Sequence, residues 1–232
     1  MELTKPIQQA TLLKRYKRFL ADVRLESGEE ITVHVPNTGR MTTCWEPEWP
    51  CIISDSENTK RKHRFTLEMT FNGTTWIGVN TGNPNKLVAE FIREKRFPSL
   101  LGYQEIRTEV PYGTNSRIDI LLENDNEKCY IEIKNTTLVE DGIAYFPDAI
   151  SERGLKHLNE LIEMKKQGHR AVMCYLVQRE DACTFLPAEH VDPKYAQAFY
   201  QAVDEGVEIL ICQCTMQPKQ ITFKKLLSLK SK

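Results

Sequence analysis

Between residues 18 and 81 apolar and polar positions alternate in short runs, RFLADVRL, EITVHVPN, CIISDS, FTLEMTF and TWIGVNT, separated by Gly, Asn, Ser and Pro. Alternation of period two with that punctuation marks half-buried strands. Five such runs with no helical stretch among them predict a small barrel or sandwich, and five is the strand count of an OB-fold. The period changes at Pro84. Leu87, Val88, Phe91 and Ile92 share one helical face of the stretch 84–96, with Asn83 and Pro84 as cap and first-turn residues. A domain boundary is placed at about 83, dividing the chain into 1–83 and 84–232.

Beyond the boundary the predicted order is strand (104–110), strand (116–123), strand (128–135), helix (151–167), strand (171–178), helix (193–205) and strand (207–213). Antiparallel strands come first and then strands and helices alternate, which predicts a mixed sheet with crossover helices, an α/β (α+β) arrangement. In the helix after Ser151, Leu155, Leu158, Leu161 and Ile162 lie on one side and Arg153, Lys156, His157 and Glu160 on the other, with Ser151 as the cap. Arg153, Lys156 and His157 are candidate phosphate contacts on its polar face.

The richest stretch is SRIDILLENDNEKCYIEIKN, residues 116–135. Asp125 and Asn126 lie centrally between two β-rich runs and suit a tight turn. A hairpin centred there pairs Ile118 with Ile133, Ile120 with Ile131 and Leu122 with Cys129, an apolar face that supports the register. The other face then sets Asp119 opposite Glu132 and Arg117 opposite Lys134. Opposed carboxylates repel unless something neutralises them. A divalent cation would, since Mg²⁺ takes a few carboxylate oxygens together with water and phosphate. The same spacing equally describes an ion-pair ladder in which Arg117 and Lys134 offset Asp119 and Glu132.

Composition narrows the classes. The 232 residues carry 31 Lys or Arg and 32 Asp or Glu, so the net charge is −1, yet KRYKR (14–18), KRKHR (60–64) and the lysines at 219, 224, 225, 230 and 232 are local basic clusters. Local rather than total charge decides affinity for a polyanion. This makes Arg15, Lys17, Arg18, Lys60, Arg61, Lys62 and Arg117 candidate contacts to a polyanion such as nucleic acid, with Trp45, Trp49 and Trp76 as candidate stacking residues. Without a long apolar run or a leader the chain is expected to be cytoplasmic, with no membrane contact. Seven cysteines without a CxxC pair read as reduced core residues. No phosphate-loop, dinucleotide or serine-hydrolase motif occurs, and no small-molecule cofactor is expected. Glu90 on the 84–96 helix is a candidate third carboxylate, with Glu105 and Glu109 as weaker ones.

Asp119 followed by Glu132-Ile133-Lys134 resembles the signature of the PD-(D/E)xK nuclease superfamily. More widely, RYKRFLADV (15–23), HVPNTGRM (34–41), SRIDILL (116–122), CYIEIKNTTL (129–138) and FPDAISERGLKHLNEL (146–161) resemble the sugar fermentation stimulation protein family, SfsA, over about residues 10–213. The resemblance implies an N-terminal OB-fold, a C-terminal restriction-endonuclease-like domain, DNA binding without sequence preference and a regulatory link to maltose metabolism. It also implies a metal site on Asp119, Glu132 and the Ile133 carbonyl, with Lys134 as catalytic lysine. CWEPEWPC (44–51) departs from the family pattern where a glycine turn is expected. The expected activity is Mg²⁺- or Mn²⁺-dependent phosphodiester hydrolysis; the competing readings are a DNA-binding module with a silent hairpin and an RNA-binding barrel.

Overall fold

A computed structural model describes residues 1–112 and 116–230, so Lys232 of the C-terminal basic cluster lies outside the described residues. The first six strands are β1 (Ile7–Tyr16), β2 (Leu20–Leu25), β3 (Glu30–His34), β4 (Pro50–Asp55), β5 (Phe65–Phe71) and β6 (Trp76–Gly78). They pair in the order β3-β2-β1-β4-β5-β6, and a parallel bridge from His34 to Thr66 joins β3 to β5. That bridge closes a five-stranded barrel, the OB-fold, around Leu12, Val23, Val33, Ile53, Leu67 and Ile77. Its membership differs from the expectation. β1, which contains part of the basic KRYKR run, belongs to the closed barrel, whereas β6 only extends β5. The turn before β4 is made without glycine: Glu48 takes the left-handed conformation, φ 67°, and its N–H donates to the Leu12 carbonyl.

Helix α1 (Pro84–Arg93) follows, then β7 (Glu105–Tyr112), β8 (Ser116–Glu123), β9 (Lys128–Thr136), β10 (Leu138–Glu140), β11 (Ile143–Phe146), α2 (Glu152–Lys166), β12 (Arg170–Val177), β13 (Thr184–Pro187), α3 (Pro193–Asp204), β14 (Glu208–Gln217), β15 (Gln220–Leu226) and β16 (Ser228–Leu229). The main sheet runs β15-β14-β12-β9-β8-β7, and β10-β11-β13-β16 form a small second sheet that the sequence did not announce. β9, β12 and β14 are parallel through crossover helices α2 and α3, as the alternation predicts. Ser151 caps α2 by accepting from the Gly154 N–H at 3.0 Å. Asn83 precedes α1 without a side-chain cap; its amide donates instead to Glu68 at 3.2 Å. One face of the main sheet packs on α1 and the other on α2 and α3. All cysteines are free, and all but Cys183 are buried. Among the described residues no helix is long and apolar enough to cross a membrane.

The two domains share apolar packing, with Ile52 and Met69 of the barrel in the core under α1, and buried polar contacts add to it. Arg179, 3% exposed, donates through Nη1 to the carbonyls of Thr43 (3.0 Å) and Thr137 (2.8 Å) and pairs through Nη2 with Asp181 at 2.6 Å. Gly78 N–H donates across the seam to the Gln178 carbonyl at 2.8 Å. Removing one member of a buried ionic network costs about 3–5 kcal/mol, because the other polar groups stay buried. Arg179→Met should therefore lose about that much stability in urea unfolding, and a change within 0.5 kcal/mol, the range typical of surface positions, would show that the seam does not depend on it.

Candidate metal centre and the cleft beside it

Four elements meet at the site. The β8–β9 hairpin has the predicted register from Glu123–Lys128 to Ile120–Ile131, and there the ladder stops. Ile118 and Ile133 do not pair. Glu109, on β7 between the pairs Thr108–Ile120 and Val110–Ile118, is left-handed with φ 54°. Past this kink Ile118 joins the core under α2 and α3, whereas Ile120 and Ile133 stay in the core under α1. Asp119 sits at the crossover. Its Oδ2 accepts from the Ile133 N–H at 2.7 Å, and its Oδ1 accepts from Asn85 Nδ2 of α1 at 2.8 Å.

Glu132 is 2% exposed. Its Oε1 accepts from Lys134 Nζ at 2.7 Å and makes a short contact with His157 Nδ1, while its Oε2 is buried with no partner. His157 Nε2 lies 3.4 Å from Arg153 Nε, and its Nδ1 lies 2.9 Å from Lys134 Nζ. Burial raises the Glu132 pKa, but the His157 hydrogen bond and the Lys134 charge outweigh it and hold the carboxyl below its ordinary value. Asp119 goes the other way. Burial first, and then the Glu132 charge, push its carboxyl up to about 6.

The other sequence candidates divide sharply. Lys134 belongs to the site. His157, expected on a wet helix face, is buried against Glu132 and is no surface phosphate contact. Arg153 is exposed at the start of α2, and Lys156 is exposed with Glu160 3.5 Å away. Arg117 is exposed opposite Pro111, so it does not form a ladder with Lys134. Glu90 pairs with the Met1 amino group at 2.5 Å, away from Asp119, and Glu109 reaches Asn85 at 3.1 Å. Arg15 holds loops together: its guanidinium donates to the carbonyls of Arg18, Asn37, Gly39 and Arg40. Lys17 and Arg18 are exposed in the β1–β2 turn. Lys60, Arg61 and Lys62 are exposed in the β4–β5 loop. There, after burial, the charges of Arg61 and His63 hold the His34 imidazole below its ordinary pKa. Because His34 pairs with both Leu20 and Thr66, the two basic loops share one rim of the barrel. Trp45 and Trp49 pack on the barrel core and Trp76 on the α1 core, so none is a free stacking surface. Asn85 was missed; its position directly after Pro84, in the first turn of a predicted helix, was its one signal.

Beside Lys134 a cleft of about 470 Å³ runs between the barrel, through Arg18 and the 37–39 loop, and the second domain, through Asn135, Tyr145 and Arg153. The site thus gathers two carboxylates, one lysine and a cationic cleft.

Because its folded pKa is raised, the Asp119 acid contributes stability that is fully present below its unfolded value of about 4 and is lost as pH rises through about 6. Asp119→Asn keeps the site neutral there. In EDTA the stability difference in favour of the mutant should grow by about 1–3 kcal/mol between about pH 4 and about pH 7. Denaturant unfolding across that range measures it, and a difference independent of pH would show that Asp119 is not the strained group.

The chain matches the family models "Sugar fermentation stimulation protein RE domain" over residues 82–220 and "SfsA N-terminal OB domain" over residues 13–79. The sugar fermentation stimulation protein homologue of Citrifermentans bemidjiense is 46% identical over 98% of both chains. Those of Geobacter sulfurreducens and Shewanella baltica are 48% and 50% identical, over 95% of this chain and 95–96% of theirs. The solved structure of SfsA from Pyrococcus furiosus in complex with Ca²⁺ superposes with a TM-score of 0.88 at 26% identity, covering 100% of both chains. With both domains matched in order and nearly full-length relatives close to half identical, the chain belongs to the sugar fermentation stimulation protein (SfsA) family.

Proposed function

We propose that this protein binds DNA without sequence preference and hydrolyses its phosphodiester bonds using Mg²⁺ or Mn²⁺ held by Asp119, Glu132 and the Ile133 carbonyl. The observation that carries the reading is Glu132: a buried carboxylate drawn into its charged form, with one oxygen satisfied twice and the other unpartnered, beside a second carboxylate that its charge strains. A buried charge of this kind is costly unless it is paired or coordinates a metal. No group of three or more His, Cys, Asp or Glu around one point occurs among the described residues. Two carboxylates suit Mg²⁺, which keeps several waters and substrate oxygens. The relative from Pyrococcus furiosus is described with Ca²⁺, another oxygen-seeking cation.

When bound, such an ion supplies Lewis acidity and an activated water. The protein's residues do the rest. Lys134, 2.7 Å from Glu132, is positioned to hold a phosphate oxygen on which charge develops. His157 positions Glu132, and Asn85 positions Asp119. Arg18 and Arg153 flank the cleft from its two domains and meet neighbouring phosphates. A second reading has one observation in its favour: Lys134 already pairs with Glu132 Oε1 and lies against His157, as in a closed, silent cluster. In that reading the protein is a DNA-binding regulator. In both, the tie to sugar metabolism, maltose included, runs through DNA.

Incubation with duplex, single-stranded and branched DNA in Mg²⁺ or Mn²⁺ decides between them. Cleavage should fall at least about 100-fold in Lys134→Ala; cleavage retained in that mutant indicates contamination, and DNA bound but uncut selects the silent reading. In thermal melts with about 10 mM Mg²⁺ the wild type should gain RT ln(1 + [L]/Kd) while Asp119→Asn gains little. A metal-blind wild type would sink the metal site.

Binding should also respond steeply to salt. With about five phosphates neutralised, log K falls against log salt with a slope of about −4 to −5. Charge reversal at Lys60, Arg61 and Lys62 should flatten that slope, and an unchanged slope would remove this loop from the interface.

A further inference from the structure

The cleft beside Lys134 has a shape and chemistry that restrict what enters it. Its volume of about 470 Å³ lies at the small end of ligand sites, which run to about 1,000 Å³. It has room for one nucleotide and not for a duplex. Cations reach it from three separate elements, Arg18 from the barrel turn, Lys134 from β9 and Arg153 from α2, against one carboxylate in its wall, Asp148; Lys134 is paired with Glu132, which leaves Arg18 and Arg153 as the cations for a ligand's phosphates. Tyr145 gives it an aromatic surface next to those cations, the combination that holds a single nucleotide by phosphate contact and base stacking.

Ile150 also lines this cleft, on the segment leading into α2. It is 75% exposed, against 52% for Leu101 and 48% for Phe19, the next most exposed large hydrophobic side chains among the described residues. It packs in none of the three cores. A bare aliphatic side chain beside a cationic cleft matches the apolar wedges that DNA-binding proteins insert between base steps.

We infer that the cleft accepts a single unpaired nucleotide, its phosphates on Arg18 and Arg153 and its base against Tyr145, while Ile150 takes the place of the departed base in the stack. The preferred substrate class is then DNA that already carries an unstacked nucleotide: a frayed end, a flap or a mismatch. The inference rests on the DNA-binding reading above and narrows it.

The test uses fluorescence anisotropy of labelled DNA with Ca²⁺ in place of Mg²⁺, at one salt concentration. The probes are a dumbbell duplex whose two ends are bridged by non-nucleotide ethylene glycol linkers, so that it has neither free ends nor unpaired nucleotides, the same dumbbell with one mismatch, and a duplex with a single-stranded overhang. Because unpaired DNA does not incur the cost of unstacking, the mismatch and overhang probes should bind about tenfold more tightly than the closed dumbbell. Ile150→Ser, an exposed position, should reduce that preference at least about threefold and leave dumbbell affinity unchanged. Tyr145→Ala, checked by thermal melt for an intact fold, should weaken the unpaired probes about fivefold or more. Equal affinity for all three probes overturns the inference and leaves DNA binding standing. A preference that survives both substitutions overturns the assignment to this cleft. Failure to bind any of the DNAs removes the inference together with the reading beneath it.

Discussion

The local structure is organised around one buried charge. Glu132 sits on β9, a strand with neighbours on both sides, at a depth where an ionised carboxylate costs several kcal/mol unless paired and hydrogen-bonded. Lys134 and His157 meet that cost from one side, which fixes where α2 lies over the sheet, because His157 is on its second turn and reaches Glu132 only from there. On the other side the sheet itself yields. β8 gives up its ladder with β9 after Ile120, and the Asp119 carboxylate, in place of a backbone carbonyl, accepts the Ile133 N–H. The kink at Glu109 and the passage of Ile118 into the opposite core accompany that exchange. Regular pairing is surrendered where the two carboxylates meet, and irregular backbone of this kind tends to cluster at functional sites.

The seam between the domains follows a different logic. It joins apolar packing, with Ile52 and Met69 of the barrel buried in the core under α1, to the guanidinium of Arg179, which satisfies carbonyls of the barrel loop at Thr43 and of the β9–β10 junction at Thr137. The same junction stands directly beyond Lys134 on β9, so the contact that docks the barrel also determines how its basic rim stands relative to the carboxylates. The barrel has one core and the sheet domain another, the core under α1 is shared by both, and the cleft is what their docking leaves between them.

The sequence showed those parts whose cause is local. The β8–β9 register was readable because alternating isoleucines leave one face to bury, and Ser151 was readable as a cap because capping needs only a hydroxyl before a helix. Other parts were hidden because their cause is distant in the chain. The IQQATLLKRY run of β1 ends in basic residues and shows weak alternation, and Arg15 within it serves the backbone carbonyls of Arg18, Asn37, Gly39 and Arg40, partners that leave no trace in composition. His157 falls on the polar side of a helical wheel and is buried nonetheless, since the group that buries it lies on β9. The Glu109 kink broke the expected Ile118–Ile133 pair without a glycine to announce it. The short strands of the second sheet pair partly in parallel, across separations that no local pattern encodes.

Gly39 and Asp148 meet across the cleft more closely than any other residue could manage: a Cβ on Gly39 would stand 2.4 Å from an oxygen of the Asp148 carboxylate, which also accepts the Met41 N–H at 3.1 Å. The spacing of the two walls is therefore set by main chain resting on a carboxylate, with no long side chain between them to swing aside. A gap of that kind has the geometry of a gauge rather than a jaw. On the reading that DNA enters this cleft, fixed walls would admit it by thickness in the association step instead of by a closure that follows capture.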